Sequence, residues 1–325
     1  MKIAIMKQHL QKQHPQMGKW LKCIYKIIWK LYNYTSYKFH DGIVIDGYIF
    51  TRRGKWTHNN LGDDLNIPLI EELTGKKIFL KKDVGVKRHL LCIGSIIESY
   101  TSADSIIWGS GAMFGTDPIT HKPAKVYAVR GLLTKNYLES QGVKCPDIFG
   151  DPAILMPLVY LPKSTKKYKL GIIPHIIEQE HPLIINLKSR ELCDVCIIDF
   201  KNYSDWHSVI DLICSCERIL SSSLHGLIIS NAYGIPNKWM KLSDKILGGY
   251  FKFLDYFSAI SNTVEEPVDL SEKTSIPIEE LLDYSYKTYN IKKNVHDLIE
   301  SCPFLSAKKK KIYTQSISAV YHDCF

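Results

Sequence analysis

Short apolar runs, each closed by a polar or glycine-bearing turn and interleaved with helix-period segments, recur through most of this chain and restrict its fold more than any other feature. In the first half the runs are GIVIDGYIF, KIFL, LLCIG, SIIWGSG and KVYAVRG, with DDLNIPLIEEL and LLTKNYLESQG as the helical segments. Runs this short and this apolar suit strands buried on both faces. Strand, helix, strand at such spacing predicts a parallel sheet covered by helices. After GDPAILMPLVYLPKSTKKYK, where prolines and lysines mark a break, the pattern restarts. It continues as LGIIPH, CDVCIIDF, WHSVIDLICSC, ERILSSS, HGLIISNAYG and PNKWM.

The expected fold class is therefore α/β, with two Rossmann-like domains facing a cleft. A basic arm over 1–40 precedes a first domain over 41–160 and a second over 161–270. Residues 271–325, with IEELLDYSYKTY, NVHDLIESC and SAKKKKIYTQSISAVYHDCF, are expected to be helical and to pack back across both domains. A chain of 325 residues is long enough for two cores. Ligands of such sheets lie beyond the carboxyl ends of the strands, so the turns there carry the functional question.

The net charge of +9 is unevenly spread, because residues 1–40 hold eight lysines and no Asp or Glu. Within GKWLKCIYKIIWKLYNY, Lys19, Lys22, Lys26 and Lys30 recur every three or four residues, opposite Trp20, Leu21, Ile24, Ile27, Ile28, Trp29 and Leu31. This amphipathic helix is too charged to span a bilayer or to serve as a secretory signal. It suits either an anionic membrane surface, through residues 18–34, or the protein's own body with lysines in water. No zinc-finger or RNA-recognition pattern appears, so nucleic acid is not expected as a partner. Nine scattered cysteines without framework spacing point to reduced thiols and a cytoplasmic location, at most peripheral to the inner face of the plasma membrane. Cys193 and Cys196 form a lone C-x-x-C with no second pair, and no metal site is expected.

RILSSSLHGLIIS sets Ser222 and Ser223 at a strand end and His225 with Gly226 in the first turn of a helix. Unpaired N–H groups and the positive helix end make such a turn an anion site. There His225 would donate a proton or hold a carboxylate or phosphate; the alternative is a capped helix with a partly buried histidine. In YAVRGLLTKN, Arg130 ends a strand and offers a two-pronged donor to an anion, or pairs structurally with Asp147 or Asp151. Asn60 and Asp63 lie in the turn before the first helix, where Asp63 caps, fixes the loop or accepts a proton from a sugar hydroxyl. Gly109 and Ser110, in IWGSGAMFG, would present donors to a sugar or phosphate. His175 ends a strand in the second half, and Ser243, Lys245 and Lys252 fall near the same edge. Neither the CIGSIIE turn nor the IWGSGAMFG turn has dinucleotide spacing, and a P-loop is absent.

Taken in order, NNLGDDLN, IGSII, WGSGAMF, VYAVRG, FGDPAILMP, IIPH, SSSLHGLIISNAYGIP and LSDKILGGYFKFLDYF resemble the polysaccharide pyruvyl transferase family over about residues 45 to 260. The resemblance implies a fold like that of the two-domain, B-type glycosyltransferases. It implies phosphoenolpyruvate as donor, a sugar of a lipid-linked oligosaccharide as acceptor, and a product in which pyruvate bridges two hydroxyls, commonly 4 and 6, as a ketal. Inorganic phosphate leaves, and the route needs no cofactor. Many relatives carry arginine directly before Leu-His-Gly, where this chain has Ser223. Arg130, Ser222, Ser223, His225, Lys245 and Lys252 are then the expected donor contacts. His225 or His175 is the expected acid, and Asp63 the acceptor-side base. Asn60, Asp63, Gly109 and Ser110 are the expected acceptor contacts. Two other readings stay open: a glycosyltransferase using a nucleotide sugar, and a non-catalytic glycan-assembly scaffold.

Overall fold

The computed structural model describes residues 15–49, 51–52, 55–56, 60–163, 165–190 and 192–321. The first fourteen residues of the basic arm, the side chains of residues 15–19, 21 and 22 within it, and the last four residues of the chain lie outside the described set.

A long helix, α1 (Pro15–His40), leads into β1 (Ile43–Ile45), and β2 (Thr51–Arg52) pairs antiparallel with β3 (Lys55–Trp56). Next come α2 (Leu61–Asp64), α3 (Asn66–Thr74), β4 (Ile78–Leu80), α4 (Lys81–Val84), β5 (His89–Leu91), α5 (Ile97–Tyr100), β6 (Ser105–Trp108), β7 (Lys125–Ala128) and α6 (Leu132–Ser140). A 3-10 segment, Pro152–Leu158, ends this half. The second half runs β8 (Leu170–Ile173), α7 (Pro182–Ser189), β9 (Val195–Ile197), α8 (Trp206–Cys214), β10 (Ile219–Ser221), α9 (Leu224–Ala232), β11 (Asn237–Lys241), α10 (Phe251–Ile260) and β12 (Val268–Asp269). Three helices follow: α11 (Ile278–Leu282), α12 (Lys292–Ser301) and α13 (Ala307–Val320).

Each half builds one five-stranded sheet in which every pairing is parallel. The spatial orders are β4-β1-β5-β6-β7 and β9-β8-β10-β11-β12. Counted within its own half, each sheet has the order 2-1-3-4-5, that of a doubly wound fold with its reversal between first and third strands. The reversals fall between β1 and β5 and between β8 and β10. β1, β4, β5, β6, β8 and β10 are buried along their whole length, as continuous apolar runs demand.

The halves share a core. All nine residues of α9 are buried, which an ordinary surface helix with one apolar stripe does not achieve. It packs on the 3-10 segment, itself buried from Pro152 to Pro157. The Leu61 N–H donates to the Phe200 carbonyl at 2.9 Å and the Tyr203 hydroxyl to Asp64 Oδ2 at 2.6 Å, so α2 is tied to the second half.

The terminal segment returns to the first half. Lys287 exchanges backbone bonds with Asn237 at the second sheet. Beyond it, Trp108 Nε1 donates to the Leu298 carbonyl, Asn294 Nδ2 to those of Phe149 and Ala259, and Tyr321 Oη to that of Ile154. Helix was expected through IEELLDYSYKTY, but it stops at Leu282. The aromatic residues that follow are modest helix formers, and the bridge to Asn237 takes up the backbone at Lys287.

Candidate active site

A cavity of about 500 Å³ opens where the two topological reversals face each other, a size ordinary for small-ligand sites. Asn60 and Asp63 come from the start of α2, Ser95 from the turn after β5, His175 from the turn after β8, and Ser223 and His225 from the start of α9. Lys245 and Lys252 come from the stretch that ends in the first turn of α10. Seven side chains singled out from sequence thus share one hollow. A larger, more open hollow of about 1050 Å³ lies between the linker around Tyr160–Tyr168 and α8, and it gathers none of them.

His225 is buried and held by its surroundings. A Cβ on Gly62 would sit 1.9 Å from its Nδ1, so only glycine lets α2 lie against the imidazole. Its Nε2 stands 3.9 Å from Asp151 Oδ2, beyond hydrogen-bonding reach, and neither atom has a hydrogen-bond partner. Two buried polar atoms facing each other unsatisfied are costly, and such gaps mark places where a ligand or proton belongs. Burial, then the charges of Lys252 and Arg130, lowers the His225 pKa to about 3. Burial and Lys252 lower that of His175 to about 3 as well. Both imidazoles are therefore neutral near pH 7.

The acids move the other way. Burial raises Asp63 to about 7 against the opposing Asn60 amide, which donates to its Oδ2 at 2.7 Å. Burial likewise raises Asp151 to about 7, although its other oxygen accepts from the Ala153 N–H at 2.9 Å. Lys252 is drawn down to about 8 by burial and by Arg130. Its ammonium lies 5.6 Å from the centre of the Phe253 ring, with no ion-pair or hydrogen-bond partner among the described residues. Groups driven toward neutrality from both directions in one cleft are the mark of proton-transfer and anion-binding sites.

Arg130 does not present its guanidinium to the cavity. It is fully buried, with Nε donating to Asp255 Oδ2 at 2.9 Å, Nη2 to the Ala112 carbonyl at 2.7 Å and Nη1 to Ser95 Oγ. The structural partner is Asp255, not Asp147 or Asp151; Asp147 pairs with Lys135 instead. Asp255 also accepts from the Thr134 N–H and hydroxyl, so α10 and α6 close around the pair. Arg130 reaches the cavity only through Ser95, which lines it.

Ser222 also turns away, donating to Glu178 Oε2 at 2.6 Å while accepting the His175 N–H at 2.9 Å. Ser243 binds the other Glu178 oxygen. Glu178, three residues beyond His175 and missed in the sequence, thereby holds the β8 turn, the β10 turn and the Ser243 loop together. Ser223 makes no side-chain cap and faces the cavity. Asp63 does not cap α2 either; its partner is the Asn60 side chain. Gly109 and Ser110 lie outside the cavity: a Cβ on Gly109 would meet Pro152 at 2.3 Å, and the buried Ser110 hydroxyl donates to the Cys92 carbonyl. Asp151, noted in the sequence only as a partner for Arg130, is the other residue that sequence reasoning passed over. Its signal was the FGDP turn before a buried segment.

Over 208 residues the chain is 30% identical to uncharacterized protein L143 of Acanthamoeba polyphaga mimivirus, covering 61% of this chain and 70% of that protein. Over 214 residues it is 27% identical to the succinoglycan biosynthesis protein ExoV of Rhizobium meliloti (strain 1021), covering 63% of each. The family model for polysaccharide pyruvyl transferases matches residues 17–239, more than half of the chain and every cavity element up to β11. The chain belongs to the polysaccharide pyruvyl transferase family and is a transferase.

Proposed function

We propose that the chain transfers pyruvate from phosphoenolpyruvate to two hydroxyls of one sugar, forming a 4,6-type ketal on a lipid-linked polysaccharide repeat and releasing phosphate. The observation that carries this reading is the Lys252 ammonium, without a hydrogen-bond or ion-pair partner among the described residues, lining one hollow with two neutral histidines and an Asp63 near 7. Such a set lacks the negative charge that an anionic donor brings. The donor's three charges would meet Lys252, Lys245 at the rim, the Ser223 hydroxyl and the N–H groups at the start of α9. Arg130 supports that wall from behind through Ser95.

Binding of the anion raises the pKa of the imidazoles, because each gains a charge partner. His225, once protonated, donates to the methylene carbon of the enol, leaving the adjacent carbon electrophilic. The first sugar hydroxyl adds there as Asp63 takes its proton. Phosphate departs with the proton that Asp63 has taken, and the second hydroxyl closes the ring as its proton returns to His225. Asp151, facing His225 Nε2, stabilises the imidazolium that carries the proton. The route calls on no redox or metal cofactor.

The test is phosphate release from phosphoenolpyruvate in the presence of acceptor, with calorimetry against phosphoenolpyruvate and against nucleotide sugars. The native protein is expected to bind the former and release phosphate. His225→Ala is expected to lower turnover at least about 100-fold, the scale of a lost general acid, while still binding donor. Full turnover in that variant, or binding of nucleotide sugar alone, would overturn the reading.

A further inference from the structure

The first helix has a face that the body of the protein does not cover. Among the described residues, Trp20 is 70% exposed, Ile28 60% and Leu31 59%, and Ile24 and Ile27 stand exposed between them. On a helix these positions form one stripe. Only the last turns of α1 dock: the Tyr37 ring meets Phe79 edge-on, with Val44 and Val84 beside it. No helix among the described residues is long and apolar enough to cross a membrane.

Three observations select the occupant of this face. Residues 1–40 contain eight lysines and no carboxylate, so a second copy would set lysine against lysine; an anionic surface is the complementary one. Trp20 and Tyr25 border the aliphatic stripe, and Lys26 and Lys30 are exposed, the composition that settles at a headgroup boundary. The direction of α1 also matters. It ends at the amino edge of β1 and packs on α4, which follows the carboxyl end of β4, so its exposed part runs toward the edge where the cavity opens. At the cavity itself, Ile177 and Leu247 are both lining residues and more than half exposed.

We infer that this face, with α1 lying in the interface plane, docks the protein on an anionic lipid bilayer and turns the cavity mouth toward the headgroups. The docking goes beyond the proposed reaction and stands or falls without it. It predicts that the full chain co-sediments with phosphatidylcholine vesicles containing about one-third phosphatidylglycerol, and several-fold less with phosphatidylcholine alone. Each lysine near such a surface strengthens binding by about fivefold, so Lys26→Glu with Lys30→Glu weakens it more than tenfold. The exposed triple substitution Ile24→Asp, Ile28→Asp and Leu31→Asp abolishes it and leaves the thermal midpoint within a degree or two. Equal sedimentation of the triple variant and the native chain overturns the proposal. So does a dimer in lipid-free solution that the triple variant abolishes, since the face would then be covered by a second copy. Donor binding by calorimetry, measured on the same variants without vesicles, reads the reaction site separately.

Discussion

At the scale of single residues the cavity opposes stability in favour of chemistry. Asp151 is fully buried with one oxygen unsatisfied, and burial holds it near 7, well above the ordinary carboxyl value of about 3.9. The folded protein therefore keeps a proton that the unfolded chain has already released. Its stability falls as pH rises through the window from about 4 to 7, and the cost is complete above it. Asp151→Asn keeps the acceptor for Ala153 but has no proton to lose. In urea unfolding the variant is expected to gain on the native protein by about 2 kcal/mol more at pH 8 than at pH 5, while phosphate release drops. An equal gap at both pH values would show that the carboxyl is not held up. The sequence displayed the histidines, Asp63 and Lys252 plainly, because each sits beside a turn motif. Their altered proton affinities were invisible, since these come from burial and from charges distant in the chain. Arg130 shows the converse: its strand-end position suggested an open fork, and Asp255, 125 residues away, closes it.

At the scale of elements, the fit of α2 against α9 positions the imidazole. Gly62 leaves the gap that His225 fills, and any Cβ there would overlap the ring. Gly62→Ala is expected to displace the imidazole, costing about 1–3 kcal/mol of stability and at least tenfold in turnover, with donor affinity changed much less. Steady-state kinetics beside donor calorimetry would separate the two effects; wild-type turnover would mean the ring is not set by this contact. Strands β1 and β4 to β11 were legible as short apolar runs closed by turns, and helices α3, α6, α8 and α9 as the longer segments between them. The two-residue β12 and the helix α10 were not. β12 is too short to carry a period, and FKFLDYF is apolar on most sides because it packs over Arg130 and Trp239.

At the scale of the whole molecule, two sheets of one strand order meet carboxyl edge to carboxyl edge, and α9, the 3-10 segment and the returning α12 and α13 merge their cores. Several polar ties join the two halves, and one of them stands beside the site. Tyr203→Phe removes the hydroxyl that Asp64 Oδ2 accepts beside the site. It is expected to cost about 1–3 kcal/mol and to raise the apparent KM for donor, because α2 carries Asn60 and Asp63. Unchanged stability and KM together would show that the tie is idle. What the sequence determined by itself was periodic: alternating strands and helices, a doubling of that pattern, and the turns at which function sits, all set by neighbours within a dozen residues. Which turns meet was settled by long-range packing alone. It chose Asp255 for Arg130, set Glu178 and Asp151 in the buried layer behind the cleft, withdrew Gly109 and Ser110 from it, and left the apolar face of α1 uncovered. Each outcome depends on desolvation and on contacts between segments far apart in the chain, and no local pattern encodes either.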